Sequence, residues 1–315
     1  MTTPTLFDND TDIEELRKRW LNRYLKVQAP VDRKVKAVLT LAAENAYNQL
    51  IAETSKSSFS ATVKSAQLRI SLKEIREILR ALFGDIKPII EAGQRDGAGV
   101  AFDAFTDSDR QYLARAFAET LKVLHSGTNE KDSRRVLAGY IRSARVGAIN
   151  NVQHSINSLT KSDHPLSVRV YRAEKLANNW VKNQVAAGIA SGTDPRKIAM
   201  VVKNSIRPGL PGGVSYAAMR LARTEVNNAF HATSISIAED RPWVEGMKWN
   251  LSKVHDPKST CICQRLANQI FTVSQVPAKP HPQCRCFVTP EVEAWDSFLR
   301  HLTAGQYRSW INEAA

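Results

Sequence analysis

The sequence predicts a mainly α-helical protein with a helical N-terminal region and a small α+β domain near its C-terminal end. Three observations favour this fold class. Apolar residues recur at helical spacing through the first half of the 315-residue chain. After Pro242 the pattern changes to short alternating segments of the kind that form strands. All four cysteines then fall between residues 261 and 286, next to a histidine.

The N-terminal region is predicted to be a succession of amphipathic helices. The first covers residues 13–27 and the second follows Pro30. A third covers 65–86, and helical patterns resume near 108–124 and 131–158, after a glycine-rich break at 93–105. The third helix carries a wide apolar face, which we interpret as a docking surface for another chain. Its residues are Leu68, Leu72, Ile75, Leu79 and Leu82.

The second half of the chain begins after a candidate linker at residues 158–167. A helix is expected up to Gly192, and the next one has Asp194 as its N-cap and Pro195 in its first turn. A long helix over 215–240 precedes two strands, at 244–253 and 269–273, and a helical tail. We therefore place three regions along the chain: a helical N-terminal region at 1–165, a C-terminal domain at 166–290 and a tail at 291–315.

The charge of the chain favours an acidic partner. The net charge is +13, and residues 131–207 contain 14 Lys and Arg against 4 Asp and Glu. A concentration of this kind is typical of contact with nucleic acid phosphates, although a merely soluble basic protein is the alternative. We expect non-specific binding to double-stranded DNA. The candidate residues are Arg134, Arg135, Arg142, Arg145, Arg169 and Arg172.

The first residues, which are polar and acidic, do not resemble a signal peptide, and no apolar run reaches the ~20 residues of a membrane span. We therefore expect synthesis and retention in the cytoplasm and no membrane segment. In that compartment clustered cysteines are more typical of metal ligands than of disulfides.

The cysteines form two close pairs, Cys261 with Cys263 and Cys284 with Cys286, and His281 precedes the second pair. Zn²⁺ prefers four cysteine or histidine ligands, commonly supplied as two chelating pairs. The pattern therefore predicts a structural zinc site with five candidate ligands for four positions. A disulfide such as Cys261 to Cys284, formed after release into an oxidising medium, and free buried thiols remain the alternatives. A catalytic thiol is not expected, because nothing nearby resembles a base paired with an orienting group.

The order of these motifs resembles the C-terminal domain of the MuF-like phage head morphogenesis proteins, also called minor head or minor capsid proteins. The residues that carry the resemblance are ARTE at 222–225, a strand ending at Trp249, HDPKSTCIC, an IF pair and HPQCRC. They span about 170–287. The family more often has CxxC where this chain has Thr260, Cys261 and Cys263, and glycine where it has Asn268, a residue that tolerates the left-handed region.

The resemblance implies a low-copy protein in the virion, inside the head near the portal, with the portal protein as partner and major capsid or scaffold protein as further candidates. It implies a role in head assembly and in contact with packaged DNA. We expect residues 1 to about 160 to dock to the portal. The resemblance also places Asp256 and Arg285 on family motif positions, together with Arg223, Thr224, Glu225 and the five candidate ligands.

The helix that carries ARTE has its own physical interpretation. Arg223 and Glu225 are two residues apart and cannot pair along a helix, so each is expected to contact another segment. For Arg223 the cysteine loops are a candidate partner, and a solvated helix face is the alternative. His231, about two turns further on, is expected to be a hydrogen-bonded interface residue rather than a metal ligand.

Three classes of function compete. The first is a structural and assembly protein of a phage particle, which we prefer. The second is a cellular zinc-bearing nucleic-acid-binding protein, and the third is a nuclease or toxin-like enzyme. The sequence lacks a carboxylate pair and a histidine-rich open metal site, so we expect that the protein is not an enzyme.

Overall fold

The computed structural model describes residues 10–55, 61–123, 165–209, 213–252 and 261–307, with side chains in the first two segments from 19 to 52 and from 72 to 109. In this part of the chain there are seven α-helices and a small antiparallel sheet, which confirms the predicted fold class. In chain order the elements are α1 Asp10–Ser55, α2 Ala61–Val123, α3 Leu166–Ala190, α4 Pro195–Ile206, α5 Gly213–Glu239, β1 Val244–Asn250, α6 Ile262–Leu266, β2 Ile270–Phe271, a 3-10 turn Val273–Gln275, β3 Phe287–Val292 and α7 Trp295–Thr303.

Helix α1 contains Pro30 in its interior, so the predicted division at that residue is wrong. Proline removes one helical hydrogen bond and costs about 3 kcal/mol in a helix interior. The side chains that follow offset this cost, since Val31 and Val35 are buried. Packing of these residues overrides the local preference.

Helix α2 likewise continues through the glycine-rich segment at 93–105, where a break was predicted. Gly93 is buried, and a Cβ atom there would lie 2.7 Å from Cγ2 of Val31 and 2.7 Å from Cγ2 of Val226. This glycine therefore permits close packing of the α2 backbone against side chains of α1 and α5. Sequence reasoning took it for a helix breaker, because close packing and a break call for the same residue.

The apolar face predicted as a docking surface on α2 is covered by the chain itself. Ile75, Leu79 and Leu82 are buried, Leu72 is half-buried, and the side chain of Leu68 lies outside the described residues. This face therefore gives no support to docking of another chain. The helix predicted over 131–158 and most of the predicted linker also lie outside the described residues.

The predicted helix boundaries in the second half are confirmed. Gly192, with a φ of 65°, follows the end of α3. The side chain of Asp194 accepts a hydrogen bond from the Arg196 backbone N–H at 2.7 Å, and Pro195 opens α4. This is the N-cap arrangement that satisfies an unpaired donor of the first helical turn.

The sheet has the order β2-β1-β3, and β1 pairs antiparallel with both neighbours. Strands β1 and β2 confirm the prediction. Strand β3 was not predicted, and the helical tail was expected to begin at residue 291, within this strand. Pro290 lies on this edge strand opposite Met247, where the missing N–H of proline is tolerated. The tail itself forms α7, as predicted, up to Thr303.

The chain forms two compact units. Of the described residues, unit 1 contains those within Met1–Lys26, Gln94–Leu159 and Asn227–Ala315, and unit 2 contains those within Val27–Gly93 and Thr160–Val226. Both units thus combine residues from the two sides of position 165. No helix in the described ranges has both the length and the apolar character that crossing a membrane requires.

The close packing at Gly93 yields a stability prediction. Gly93→Ala should lower the free energy of unfolding by about 1–3 kcal/mol, because the short, β-branched Val31 and Val226 cannot rotate away from the new methyl group. Gly84→Ala on the same helix is the control, since a Cβ there meets no atom within 4 Å. The control should be more stable than the wild type by about 0.5–1 kcal/mol. Urea unfolding of both variants decides the matter, and equal midpoints would contradict the packing role of Gly93.

Candidate metal centre

The sheet brings the two cysteine segments together. Cys261 and Cys263 precede β2, and Cys284 and Cys286 lead directly into β3. Because β2 and β3 pair with opposite edges of β1, the segments that precede them both approach that strand. The turn before β2 contains Asn268 with a φ of 61°, which confirms that asparagine occupies the left-handed region there.

Cys263 lies at the centre of the five candidate ligands, Cys261, Cys263, His281, Cys284 and Cys286, which we call the cysteine cluster. Its Sγ atom lies 3.4 Å from Sγ of Cys284 and 3.4 Å from Nε2 of His281. The ligand atoms form two groups, Cys261 with Cys263 and His281, and Cys263 with Cys284 and Cys286, each within 4.8 Å. All four cysteines are free, and Cys261 and Cys284 fall in different groups, so the structure offers no disulfide between them.

The two pairs present their thiols in different ways. Burial alternates along Cys284, Arg285 and Cys286, as predicted for an extended segment in which alternate residues point to the same side. The first pair is not extended, because Cys261 is the N-cap of α6 and Cys263 lies in its first turn. Ile262 is nevertheless exposed, as expected.

His281 is prepared to act as a ligand through Nε2. Its Nδ1 atom lies 2.9 Å from the carbonyl oxygen of Pro282, which can only accept a hydrogen bond. Nδ1 therefore carries the proton, and in the neutral ring the lone pair of Nε2 points to the Cys263 side. Metal-binding histidines are commonly oriented by such a hydrogen bond to a backbone carbonyl.

The protonation of the buried thiols is interdependent. A hydrogen bond from Cys286 and the charge of Lys279 lower the pKa of Cys284 to about 5. Burial, and then hydrogen bonding to Cys284, raise the pKa of Cys263 to about 12, and hydrogen bonding to Cys284 raises that of Cys286. One sulfur thus holds negative charge while its neighbours keep their protons, which is expected where several thiols share one site without a cation.

The spacing of the donors fits zinc. A tetrahedral zinc with Zn–S bonds of about 2.3 Å and Zn–N bonds of about 2.0 Å separates two sulfurs by about 3.8 Å, and a sulfur and a nitrogen by about 3.5 Å. Both 3.4 Å distances from Cys263 are close to these values. The spacing around Cys263 is therefore that of a metal site, and the two ligand groups that share Cys263 would move closer together to place four donors on one ion.

Apolar side chains from several elements surround the cysteine cluster. Cys263, Cys284 and Cys286 are buried in one core with Phe102 and Phe105 of α2. The other buried members are Ile237, Ala238, Met247, Trp249 and Val288. Helix α2, far away in the sequence, thus provides part of the environment of the thiols.

Two further side chains fasten the loop between β2 and β3. Lys279 donates a hydrogen bond to the carbonyl of Cys286, and its ammonium lies 5.7 Å from the ring centroid of Trp249. His231 of α5 donates from Nε2 to the carbonyl oxygen of Pro277 at 3.0 Å and belongs to neither ligand group. The expectation that His231 is a hydrogen-bonded interface residue agrees with this contact.

Two of the ARTE residues connect α5 to other helices. Arg223 donates to both carboxylate oxygens of Asp32 in α1, with Nη2 2.7 Å from Oδ2 and Nε 3.0 Å from Oδ1. Glu225, whose side chain is 1% exposed, accepts from Nη2 of Arg169 at 2.5 Å. Both residues contact other segments, as predicted, but Arg223 pairs with Asp32 where the cysteine loops were suggested. The Thr224 hydroxyl donates to the carbonyl of Arg220.

Of the residues predicted for DNA contact, the structure describes two. Arg172 is exposed on α3, whereas Arg169 forms the ion pair with Glu225. Asp256 lies outside the described residues, as do Arg134, Arg135, Arg142 and Arg145. Arg285 is half-buried between two buried cysteines.

Sequence reasoning missed one polar pair and one cation. Arg241 donates to Asp109 of α2 at 2.8 Å, and their side chains are 2% and 7% exposed. Burial raises the pKa of Asp109, while Arg241 opposes this shift. A buried charge requires such a partner, but 132 positions separate the two and no local pattern indicates them. The only indication of a role for Lys279 in the sequence is weak, namely a positive charge next to the HPQCRC motif.

These features define a class of protein. It is mainly helical, and its C-terminal part contains a small sheet and a cysteine and histidine cluster that could hold a metal ion. Residues 179–289 match the family described as Phage Mu protein F like protein. This match confirms the resemblance seen in the motifs for this region of the chain. No curated protein and no solved structure matches the chain.

The matched region contains the whole cysteine cluster, Arg223 and Glu225. Asp32, Phe102, Phe105 and Asp109, which contact it, lie outside. The family match therefore covers the ligands but not all of the residues that pack around them.

The burial of His231 leads to a prediction about acid stability. Burial lowers its pKa from 6.5 to about 3, so the folded state keeps the ring neutral while the unfolded chain takes up a proton below pH 6.5. The stability that this residue contributes is present above pH 6.5 and is lost as the pH falls towards 3. Between pH 7 and 4.5 the wild type should lose about 2–3 kcal/mol more than His231→Gln, which does not titrate. Urea unfolding at both values tests this, and parallel losses in the two proteins would contradict it.

Proposed function

We propose that this protein is a phage minor head protein that takes part in head morphogenesis, docks to the portal and contacts packaged DNA without sequence preference. We further propose that it is not an enzyme and that a zinc ion has a structural role in its C-terminal part. The observation that carries the proposal is the family match at 179–289, which includes both the ARTE helix and the complete cysteine cluster.

The donor set supports a structural zinc rather than a catalytic one. Structural zinc sites are closed by four protein ligands, whereas catalytic sites keep one position open for water or substrate. The cysteine cluster offers five donors in two groups that share Cys263, one more than a tetrahedral sphere needs. A bound zinc would link the segment before β2 to the segment before β3, and so hold both edges of the sheet on β1.

The described part of the basic segment supports DNA contact. Residues 165–209 contain eight Lys and Arg and two acidic residues. Both acidic residues have local contacts, since Glu174 lies 4.0 Å from Arg80 and Asp194 caps α4. The exposed basic residues on and next to α3 and α4 are Arg172, Lys175, Lys182, Arg196, Lys197 and Arg207. Such side chains bind phosphates irrespective of base sequence.

The DNA proposal predicts a salt-dependent affinity. The wild type should bind duplexes of unrelated sequence equally, and the logarithm of the affinity should fall linearly with the logarithm of the salt concentration. Replacing Arg172, Lys182 and Lys197 by Glu should flatten that slope by about 3, because each phosphate contact contributes about 0.9. Lys87→Glu on α2, where Lys87 lies 3.8 Å from Glu91, is the control and should leave the slope unchanged. Equal slopes in the triple variant and the wild type would show that α3 and α4 do not contact DNA.

Docking through the N-terminal region now depends on its exposed residues, because the wide apolar face of α2 is buried. Leu41 on α1 is 63% exposed. Leu176 on α3, which lies outside the N-terminal region, is 66% exposed and offers a matched comparison. Deletion of residues 1–160 would be a poor test, since it removes Phe102, Phe105 and Asp109 from the core around the cysteine cluster.

The docking proposal predicts which substitution keeps the protein out of the particle. Heads assembled in cells that produce only Leu41→Glu should contain less of the protein than wild-type heads, because a charge now replaces an apolar contact. Leu176→Glu should be incorporated normally. Quantitative mass spectrometry of purified heads measures both, with the soluble fraction showing that each variant is folded. Loss of incorporation with Leu176→Glu alone would place docking in the C-terminal region, and absence of the wild type from heads would refute the phage role.

A further inference from the structure

Cys261 differs from the other three cysteines in its surroundings. It is half-buried, whereas Cys263, Cys284 and Cys286 are 0%, 1% and 1% exposed in the same core. Its Sγ atom accepts a hydrogen bond from the backbone N–H of Cys263 at 3.3 Å, as the N-cap of α6. This contact satisfies one of the unpaired donors of a helix start, which gives Cys261 a role that needs no metal.

His281 is the stronger candidate for the fourth position. Its Nε2 atom is 3.4 Å from Sγ of Cys263, close to the separation of about 3.5 Å in a tetrahedral zinc site. Its other ring nitrogen is held by the Pro282 carbonyl, so the ring is already in the tautomer that a metal requires. Pro280 and Pro282 flank it and restrict the backbone.

The charge of the site distinguishes the two ligand sets. Zn²⁺ with four thiolates carries a net charge of −2, and Zn²⁺ with three thiolates and a neutral imidazole carries −1. An uncompensated charge in an apolar core is costly. The Lys279 side chain is placed here by geometry, since it donates to the Cys286 carbonyl and lies over the Trp249 ring. Burial lowers the pKa of Lys279, and the negative charge of the neighbouring cysteines opposes that shift. One lysine balances the set with three thiolates.

We propose that Cys263, His281, Cys284 and Cys286 are the four metal ligands, that Cys261 is a helix cap outside the coordination sphere, and that Lys279 is a positioning residue that neutralises the bound site. The proposal rests on the metal site of the proposed function. Lys279 donates to the Cys286 carbonyl and its Nζ atom lies over the Trp249 ring, so its position beside the second cysteine pair is fixed. Loss of that charge should weaken metal binding even with all four ligands present.

The test uses the full-length reduced protein with cobalt(II) as an optical probe and zinc in competition with a chromophoric chelator. Cobalt bound to three thiolates and one nitrogen differs in its d–d bands and in its near-ultraviolet charge-transfer intensity from cobalt bound to four thiolates. The wild type and Cys261→Ser should give the same spectrum and bind one metal per chain, since serine also caps helices. His281→Asn and Cys284→Ser should change the spectrum. Lys279→Met should weaken zinc binding 10- to 100-fold, and Lys279→Arg should restore most of the affinity.

Different results test the ligand set, the charge role of Lys279 and the existence of the metal site. A changed spectrum in Cys261→Ser together with an unchanged one in His281→Asn would overturn the ligand set. Equal zinc affinity of Lys279→Met and the wild type, or equal weakening in Lys279→Met and Lys279→Arg, would overturn the charge role of Lys279. Failure of the wild type to bind either metal would instead overturn the metal site itself. Circular dichroism of each metal-free variant shows that affinities are compared between folded proteins.

Discussion

The burial of three thiols in an apolar core is the constraint on which the C-terminal part of the protein depends. Cys263, Cys284 and Cys286 share this core with Phe102, Phe105, Trp249 and their neighbours. A thiolate in such a place is costly unless a cation or a shared proton compensates it. Hydrogen bonding lowers the pKa of Cys284, whereas burial and hydrogen bonding to Cys284 raise the pKa of Cys263, so ionisation of one thiol disfavours ionisation of the other. A divalent metal changes this balance, because all ligand sulfurs can then be ionised together.

The free-energy cost of burying a charge also explains the ion pairs on and next to α5. Burial raises the pKa of both Glu225 and Asp109, and in each case an arginine opposes the shift. Removal of one partner from such a pair typically costs about 3–5 kcal/mol, whereas the intact pair mainly specifies which segments meet. Arg241 pairs with Asp109, and Arg223 with Asp32, so residues inside the family match are held by residues outside it. The described contacts do not divide the chain into two cores at residue 165, because each compact unit contains residues from both sides of that position.

Local chemistry was predictable from the sequence, and long-range contacts were not. The Asp194 cap, the alternation of β1, the left-handed Asn268 and the meeting of the two cysteine pairs each follow from a few adjacent residues. The role of Gly93 could not be predicted in this way, because it depends on contacts with Val31 and Val226, which are far from it in the sequence. The partner of Arg223 lies 191 positions away. Five ligands could be named from spacing alone, but choosing among them required the cap at Cys261 and the position of Lys279.

The folded chain also alters what its net charge means for DNA. A sequence count treats all basic residues alike, yet Arg169 is engaged with Glu225 and Lys203 lies 2.7 Å from Glu44. Cations committed to such pairs release few counterions when DNA binds, so they add little to affinity. In the proposed DNA contact, the described residues 165–209 would therefore contribute only their six exposed basic side chains, which corresponds to a salt slope of about −5 from this segment. The two engaged cations act instead on the fold, where Arg169 fixes α3 against α5 and thereby sets the orientation of the exposed basic residues along α3.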